Sequence, residues 1–233
     1  YKRFVRVAAA DSINTRPSRA FGTGDAPLLY YIHYTTYDIC FVDLGIAPKP
    51  APTIIIPASE FPGTIPWPRD LVVNAAQDTI WLAGGNATAS NPLAFVWKYK
   101  KDSGTGVWSR DMTFTVSLPT YPETTRYQAV RIQLSPDEQT LWVSINDGAP
   151  STANPVVQEN KIVKGVNPAT GADKGAAYQI DANAGFTNPQ SMAVSHNGNI
   201  YVVTYSSNLT GTTGDGLFVL APPDSGSSDS VRS

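Results

Sequence analysis

Short apolar stretches alternate with polar turns along most of this chain, and the pattern recurs. Three segments each read as an apolar strand, a tight polar turn and a second apolar strand; they are residues 68–83, 128–144 and 189–203. Their aromatic residues Trp81, Trp142 and Tyr201 fall 61 and 59 residues apart. A period of this length predicts a repeat architecture, in which each copy forms one supersecondary unit.

The residues after each copy extend the predicted unit. A further apolar strand follows at residues 93–99, 161–166 and 216–220, and in two copies a fourth strand follows at 108–116 and 176–180. A four-stranded antiparallel meander has two apolar faces, so it must pack on its neighbours. The sequence therefore predicts an all-β fold: a β-propeller of four-stranded antiparallel blades of about 60 residues, with about four blades or as part of a larger propeller.

The two ends of the chain fit this unit less closely. The predicted propeller spans residues 1–221, and its blades are residues 1–58, 59–118, 119–181 and 182–221. In the first blade, strands are expected at 3–8, 28–34, 39–44 and 53–56, with a long loop at 11–27. Pro222 and Pro223 open a Ser/Asp-rich flexible tail, 222–233, so no fourth strand is expected in the last blade. Residues 4–7 are then expected to close the ring against 217–220, or to leave that edge to another chain.

Two strand–turn–strand segments resemble a known group of propellers. Residues 134–144 and 194–203 are similar to blades of the NHL, SMP-30/gluconolactonase and lactonase-type families, in which a Ser-Pro-Asp-Gly-like turn joins two apolar strands. The resemblance covers roughly residues 60–220 and implies the architecture. In the SMP-30-like enzymes it would place metal-binding carboxylates and amides at the entry of the inner strands. The corresponding positions here include no Glu, which argues against carrying the metal site over.

Charge and composition narrow the function classes. A formal net charge of −2 and 17 scattered Lys and Arg residues argue against nucleic acid as a partner. The longest apolar runs are strand-sized, so no transmembrane segment is expected. The sequons at Asn86 and Asn208, with sparse charge and a start at Tyr1, favour a secreted or cell-surface protein, processed or excerpted from a longer chain.

The sequence shows no catalytic signature. His33 and His196 are the two His residues; neither lies in a nucleophile motif, and we expect His33 on a strand face and His196 in a turn. The single Cys40 lies in an apolar stretch and predicts a buried thiol. No cofactor is predicted, with calcium left open because residues 146–148 and Asp215 supply oxygen ligands in loops.

Loop lengths indicate which face of the propeller carries function. The loops between second and third strands are long, whereas the turns between first and second strands are tight, so a site is expected on the long-loop face. The candidate ligand-binding residues ring the channel at the entry of the inner strands; they are Arg69, Asp70, Arg126, Gln128, Asn188 and Gln190. The leading hypothesis is a non-enzymatic extracellular binding or assembly module, with a protein or carbohydrate partner or self-assembly. The alternatives are a metal-dependent hydrolase of the SMP-30/lactonase type and a structural subunit of a larger extracellular assembly.

Overall fold

The part of the 233-residue chain that the computed structural model describes consists almost entirely of antiparallel strands and tight turns. It comprises residues 16–21, 28–33, 35–43, 50–61, 66–86, 94–118, 128–146, 162–179, 188–205, 216–220 and 231–232. The one helical element among these residues is a single 3-10 turn, Ala58–Glu60. The all-β prediction is confirmed. None of the helical structure in these residues is long and apolar enough to cross a membrane.

The strands form four-stranded antiparallel sheets, each in chain order. Sheet 1 contains β1 (Arg16–Phe21), β2 (Leu28–Ile32), β3 (Ile39–Asp43) and β4 (Thr53–Ile56). Sheet 2 contains β5 (Pro66–Val73), β6 (Thr79–Asn86), β7 (Ala94–Lys101) and β8 (Trp108–Arg110). Sheet 3 contains β9 (Gln128–Leu134), β10 (Leu141–Asn146), β11 (Ile162–Val166) and β12 (Asp173–Gln179). Sheet 4 contains β13 (Asn188–Val194), β14 (Ile200–Tyr205), β15 (Gly216–Leu220) and β16 (Val231–Arg232).

The chain divides into two compact units, Tyr1–Glu60 and Phe61–Ser233. The first unit holds sheet 1, where Tyr31, Cys40 and Val42 are buried together and Leu29 packs against them. Asp38 joins its β2–β3 turn to the 3-10 turn, because its Oδ1 accepts the backbone N–H of Ala58 at 2.8 Å. The second unit holds sheets 2, 3 and 4.

A similar tight turn joins the first two strands in each sheet of the second unit, and it is one residue shorter in sheet 4 than in sheets 2 and 3. The turns open with Asn74, Ser135 and Ser195, whose side chains hydrogen-bond within their own turns. Three residues later the backbone has a positive φ, at Gln77 (60°), Glu138 (58°) and Gly198 (86°). Such turn chemistry fixes the register of the strands on either side.

That register confirms the predicted equivalence of the three aromatic residues. Trp81 pairs with Val72, Trp142 with Gln133 and Tyr201 with Ala193, in each case one residue beyond the pair that follows the turn. All three lie on the second strand of their sheet. Trp81 and Trp142 are each 5% exposed, and Tyr201 is half-buried.

Successive sheets of the second unit pack face to face. One core joins Val72, Trp81, Ala83 and Val96 of sheet 2 to Ile132, Leu134, Leu141, Val143, Ile145 and Val166 of sheet 3. The next core joins Trp142 and Val163 of sheet 3 to Met192, Ile200, Val202 and Leu220 of sheet 4. We call the face that packs on the following sheet the forward face, and the opposite one the rear face.

Polar contacts also join sheet 2 to the β11–β12 turn of sheet 3, residues 167–171. Three successive carbonyl oxygens of this turn accept hydrogen bonds: Pro168 from Trp81 Nε1 at 3.0 Å, Ala169 from Lys98 Nζ at 2.9 Å, and Thr170 from the N–H of Thr115 at 3.1 Å. Sheet 2 and the segment that follows β8 therefore contact both the apolar rear face and the β11–β12 turn of sheet 3.

The β7–β8 turn, residues 102–106, has the same conformation as the β11–β12 turn. Asp102 Oδ1 accepts two backbone N–H groups within the turn, and Asn167 Oδ1 does the same in its own turn. Each turn closes on a Gly with positive φ, 72° at Gly106 and 81° at Gly171. Residues 102–106 are exposed throughout.

The ends of the chain correct two predictions. Strand β1 lies at Arg16–Phe21, inside the stretch predicted as a loop, and the strand predicted at 3–8 falls outside the described residues. The polar, Pro-containing sequence of β1 suits the edge position that it occupies. The expectation that no strand follows Leu220 is also wrong, because Val231 and Arg232 pair with Leu220 and Val219. Residues 4–7, predicted to pair with that edge, lie outside the described part.

Candidate functional site

A β-bulge interrupts the first strand of each sheet in the second unit at the same place. Counting from the hairpin turn, four residue pairs form before the register shifts in β5–β6, in β9–β10 and in β13–β14. The extra residues are Arg69, Val130 and Gln190. Strand β9 contacts both β5 and β13, so the three bulged strands are neighbours. Bulges of this kind are common next to active sites, where they change the direction of a side chain.

Three polar residues occupy the equivalent position on the hairpin side of the bulge. Asp70 pairs with Ala83, Arg131 with Ser144, and Ser191 with Val203. These three residues therefore lie at the same position along the three first strands, which we call one level. Each sheet has a different chemical group at this level.

The carboxylate of Asp70 links the first two of these strands. It is only 8% exposed, and its Oδ1 accepts the N–H of Leu71 at 3.0 Å while its Oδ2 accepts the N–H of Ile132 at 3.1 Å. Hydrogen bonds from backbone N–H groups compensate the burial of a carboxylate. Asp70 thus holds β9 against β5 at the level of the bulge.

Arg131 makes a second link between the same two strands. Its Nη1 donates to the backbone carbonyl of Arg69, the bulge residue of β5, at 3.0 Å. The guanidinium is half-buried and planar, so this contact fixes its orientation. A carboxylate and a guanidinium therefore stand on neighbouring strands, both held by backbone groups.

The structure places the backbone of most candidate ligand-binding residues on the first strands. Arg69 is the bulge residue of β5 and Asp70 follows it; Gln190 is the bulge residue of β13. Gln128 and Asn188 begin β9 and β13, and pair with Asn146 and Tyr205. Arg126 lies outside the described residues. The ring of all six side chains stays a prediction.

Arg131 belongs to the site and was not among the sequence candidates. The 61-residue spacing of Trp81 and Trp142, applied to Asp70, leads to this residue. From sheet 3 to sheet 4 the spacing differs between the two strands. Arg131 and Ser191 on the first strands are 60 residues apart, whereas Trp142 and Tyr201 on the second strands are 59 apart, because the turn of sheet 4 is one residue shorter. The repeat spacing in the sequence is therefore enough to identify Arg131, whereas Ser191 is identified only from the strand register in the structure.

The glycosylation candidates and the loop oxygens lie at the limits of the described residues. Asn86 ends β6, where its backbone pairs with Pro66, and Asn208 lies outside. Asn146 ends β10, while Asp147, Gly148 and Asp215 lie outside. Within the described residues, no group of three or more His, Cys, Asp or Glu side chains could hold a metal ion.

The remaining candidates for chemistry are not on the first strands of sheets 2, 3 and 4. Cys40 is buried as predicted, and burial, followed by the charge of Asp38, raises the pKa of its thiol; burial also raises the pKa of Tyr31 to about 12. His196 is an exposed turn residue, as expected. The strand-face prediction for His33 is wrong: β2 ends at Ile32, and His33 Nδ1 hydrogen-bonds Thr36 in the turn.

No family model and no curated protein matches this sequence. Among solved structures, the α-L-arabinofuranosidase CtGH43 from Clostridium thermocellum ATCC 27405 matches 92% of this chain and 70% of its own, with a TM-score of 0.52 and 16% identity. The fold is a β-propeller. Each of sheets 1 to 4 is a four-stranded antiparallel meander, which is the blade that the sequence predicts.

Another similar structure is the periplasmic gluconolactonase PpgL from Pseudomonas aeruginosa. It matches 90% of this chain at 16% identity with a TM-score of 0.46, and this chain covers only 58% of its length. A structure reported for two prolyl endopeptidases matches 91% of this chain at 9% identity with a TM-score of 0.48, and 29% of its own length. At these identities the likeness concerns the propeller fold alone.

Proposed function

We propose that this propeller is the scaffold of a hydrolase that acts on carbohydrate-derived substrates, bound where the bulges interrupt the first strands. The observation that carries the proposal is the bulge at one register position in β5, β9 and β13, with Asp70 and Arg131 beside it. Three neighbouring strands depart from regular pairing at one level, and bulges are over-represented next to active sites, where they change the direction of a side chain.

The groups at this level suit a substrate rich in hydroxyl and carbonyl oxygens. The guanidinium of Arg131 is a hydrogen-bond donor whose plane is set by the Arg69 carbonyl. Asp70 acts as a positioning residue, since its two oxygens hold the N–H groups of Leu71 and Ile132. We assign substrate binding to Arg131 and the spacing of the first strands to Asp70.

The fold supports a hydrolase over a purely structural role. One similar structure, with a TM-score of 0.52, is that of an α-L-arabinofuranosidase. A lactonase-type metal centre does not fit the described residues, which contain no cluster of acidic, His or Cys ligands. A guanidinium takes the place of the Asp70 carboxylate in the next sheet.

A non-enzymatic carbohydrate-binding module is the second candidate. Glycoside hydrolysis ordinarily needs two carboxylic acid groups flanking the scissile bond. The three equivalent positions in sheets 2, 3 and 4 supply one carboxylate, one guanidinium and one hydroxyl. A module that binds carbohydrate without turnover needs no second carboxylate, so this set of groups also fits that function.

The test measures turnover and binding in the same protein. Chromogenic aryl glycosides, including an α-L-arabinofuranoside, and sugar lactones are assayed with and without chelator, while calorimetry measures the binding of oligosaccharides. Arg131→Gln is expected to lower kcat/KM or affinity at least about tenfold, because a charged donor to the substrate is lost. Lys174→Gln is the matched control: it removes one positive charge from an exposed residue that bonds Gln139 and Thr140.

Each outcome decides between the candidates. Turnover that falls in Arg131→Gln and persists in Lys174→Gln supports the hydrolase. Binding without turnover, with the same dependence on Arg131, supports the module. Neither turnover nor binding, or equal effects of the two substitutions, overturns the assignment of this site.

A further inference from the structure

The β13–β14 turn, residues 195–199, carries the one Asn-Gly pair of the sequence at the tip of its hairpin. Asn197 is exposed, and Gly198 after it has a φ of 86°. Because Gly has no Cβ, no side chain shields its amide nitrogen from the Asn that precedes it. Asn is also one of the thermolabile residue types, so this pair is a candidate for reaction with its own backbone.

Two hydrogen bonds of the turn act on the atoms that would react. The hydroxyl of Ser195 donates to Asn197 Oδ1, and a donor on this oxygen makes the side-chain carbonyl carbon more electrophilic. The N–H of Gly198 donates to the carbonyl oxygen of Ser195 at 3.0 Å. This second bond must open before the nitrogen can attack, and exposed turns open locally at small cost in free energy.

The equivalent turn of sheet 3 already carries an aspartate at this position. Asp137 is the third residue of its turn, as Asn197 is of its own, and its Oδ1 accepts the hydroxyl of Ser135 at 2.5 Å. This hydroxyl, followed by the N–H of Gln139, lowers the pKa of Asp137. A turn that opens with Ser therefore accommodates a carboxylate at its third residue.

We propose that Asn197 is a site of spontaneous deamidation, which gives the turn of sheet 4 the aspartate found in the turn of sheet 3. The amide nitrogen of Gly198 loses its proton to solvent base and attacks Asn197 Cγ, and the side-chain nitrogen leaves as ammonia. Water then opens the resulting succinimide ring at one of its two carbonyl carbons. No oxidant, reductant or cofactor takes part, and the formal net charge becomes one unit more negative than −2.

The two ring-opening products act differently on sheet 4. Aspartate leaves the backbone unchanged and accepts the Ser195 hydroxyl as Asp137 accepts that of Ser135. Isoaspartate adds a carbon atom to the backbone of a turn that fixes the pairing of Val194 with Ile200. We therefore expect sheet 4 to tolerate the aspartate and to lose stability with the isoaspartate.

The experiment incubates the full chain under native conditions at neutral and at mildly alkaline pH. Peptide mapping by mass spectrometry, with isoaspartate methyltransferase labelling, follows each Asn. Asn199 is the internal control, because it lies in the same turn but precedes the β-branched Ile200. Deamidation at Asn197 is expected to be at least about tenfold faster than at Asn199, and faster at alkaline pH, where the attacking nitrogen loses its proton more often.

Two variants separate the reaction from the fold. Gly198→Gln is expected to slow deamidation at least about fivefold, and Gln77 occupies the equivalent position in sheet 2 with a φ of 60°. Asn197→Asp should keep the midpoint of thermal unfolding of the wild-type chain. An unmodified Asn197, equal rates at Asn197 and Asn199, or an unchanged rate in Gly198→Gln would overturn the proposed site. A lowered midpoint in Asn197→Asp would overturn the claim that the turn accepts the aspartate. None of these results depends on the proposed activity.

Discussion

Gly171 and Gly106 close turns of the same conformation, yet only Gly171 packs against a segment distant in sequence, at Thr115. A Cβ at Gly171 would overlap the carbonyl oxygen of Thr115, whereas a Cβ at Gly106 would meet only Lys101 Cε at 3.8 Å. Both have positive φ, so Ala at either position should cost about 1–2 kcal/mol in backbone strain. We expect Gly171→Ala to cost at least about 2 kcal/mol more, because the backbone at Thr115, in the segment that follows β8, must move away from the turn.

The comparison is made by denaturant unfolding of the two variants beside the wild-type chain. Gly106→Ala serves as the control for the strain that both positions share. Equal losses in the free energy of unfolding would show that the contact between Gly171 and Thr115 contributes nothing.

The carboxyl group of Asp111 is expected to make the free energy of unfolding depend on pH in the acidic range. The hydroxyl of Thr113, followed by Lys100, holds the pKa of this carboxyl well below its ordinary value of 3.8. Its Oδ2 lies 3.1 Å from Lys100 Nζ and 3.5 Å from Lys98 Nζ. Because the folded pKa lies below the unfolded one, the carboxylate stabilises the fold above about pH 3.8, and this contribution disappears as the pH falls towards the folded pKa.

We therefore expect Asp111→Asn to be less stable than the wild-type chain near neutral pH and to lose less stability on acidification. Urea unfolding at about pH 5 and at about pH 2.5 measures both quantities. The wild-type chain should lose more free energy of unfolding over this interval than the variant. Parallel losses would mean that Asp111 is not the group responsible.

At the scale of elements, the second strands of sheets 2, 3 and 4 each carry a large aromatic residue at one equivalent position, and these residues differ in how far they are buried. Trp142 is packed between sheets 3 and 4, and its truncation to Ala should cost about 3–5 kcal/mol. Tyr201 occupies the equivalent position in sheet 4 and is only half-buried, so Tyr201→Ala should cost no more than about 2 kcal/mol.

Thermal and denaturant unfolding of both variants beside the wild-type chain gives the two values. If Tyr201→Ala is as damaging as Trp142→Ala, the difference in burial between the two residues does not determine their contributions to stability.

The hairpins of the second unit could be predicted from sequence because two independent signals coincide in each. Alternating apolar residues define the strands around Trp81 and Trp142, and a polar turn residue such as Ser135 fixes their register. Strand β1 lacked both signals, since it is polar and contains Pro17. Strand β16 has only two residues, too few to show any alternation. Its pairing depends on the long-range return of the chain to β15.

At the scale of the whole molecule, secretion is a prediction that rests on the two sequons. If the chain passes through a eukaryotic secretory pathway, Asn86 or Asn208 should carry a glycan. Intact-mass measurement of secreted protein, before and after enzymatic deglycosylation, detects it. Asn86→Gln and Asn208→Gln should each remove the mass of the glycan at that position. Secreted protein with the unmodified mass would remove the main argument for an extracellular site.

The candidate site was only partly predictable for a physical reason. Arg69 and Asp70 were found because charged residues at the entry of an apolar strand stand out. The bulge at Arg69 could not be found, since it depends on which residues pair across two strands rather than on one strand alone. The link from Asp70 to Ile132 crosses between sheets, and the sequence pattern of neither sheet contains it.

The pair of matching turns also indicates where this protein can be engineered. Residues 167–171 offer three carbonyl oxygens in succession to sheet 2, so an epitope or fluorophore-binding peptide inserted there would break all three bonds at once. Residues 102–106 have the same backbone shape and are exposed throughout. Exposed loop tips are where proteins accept foreign segments. The β7–β8 turn is therefore the place to graft a label onto this propeller.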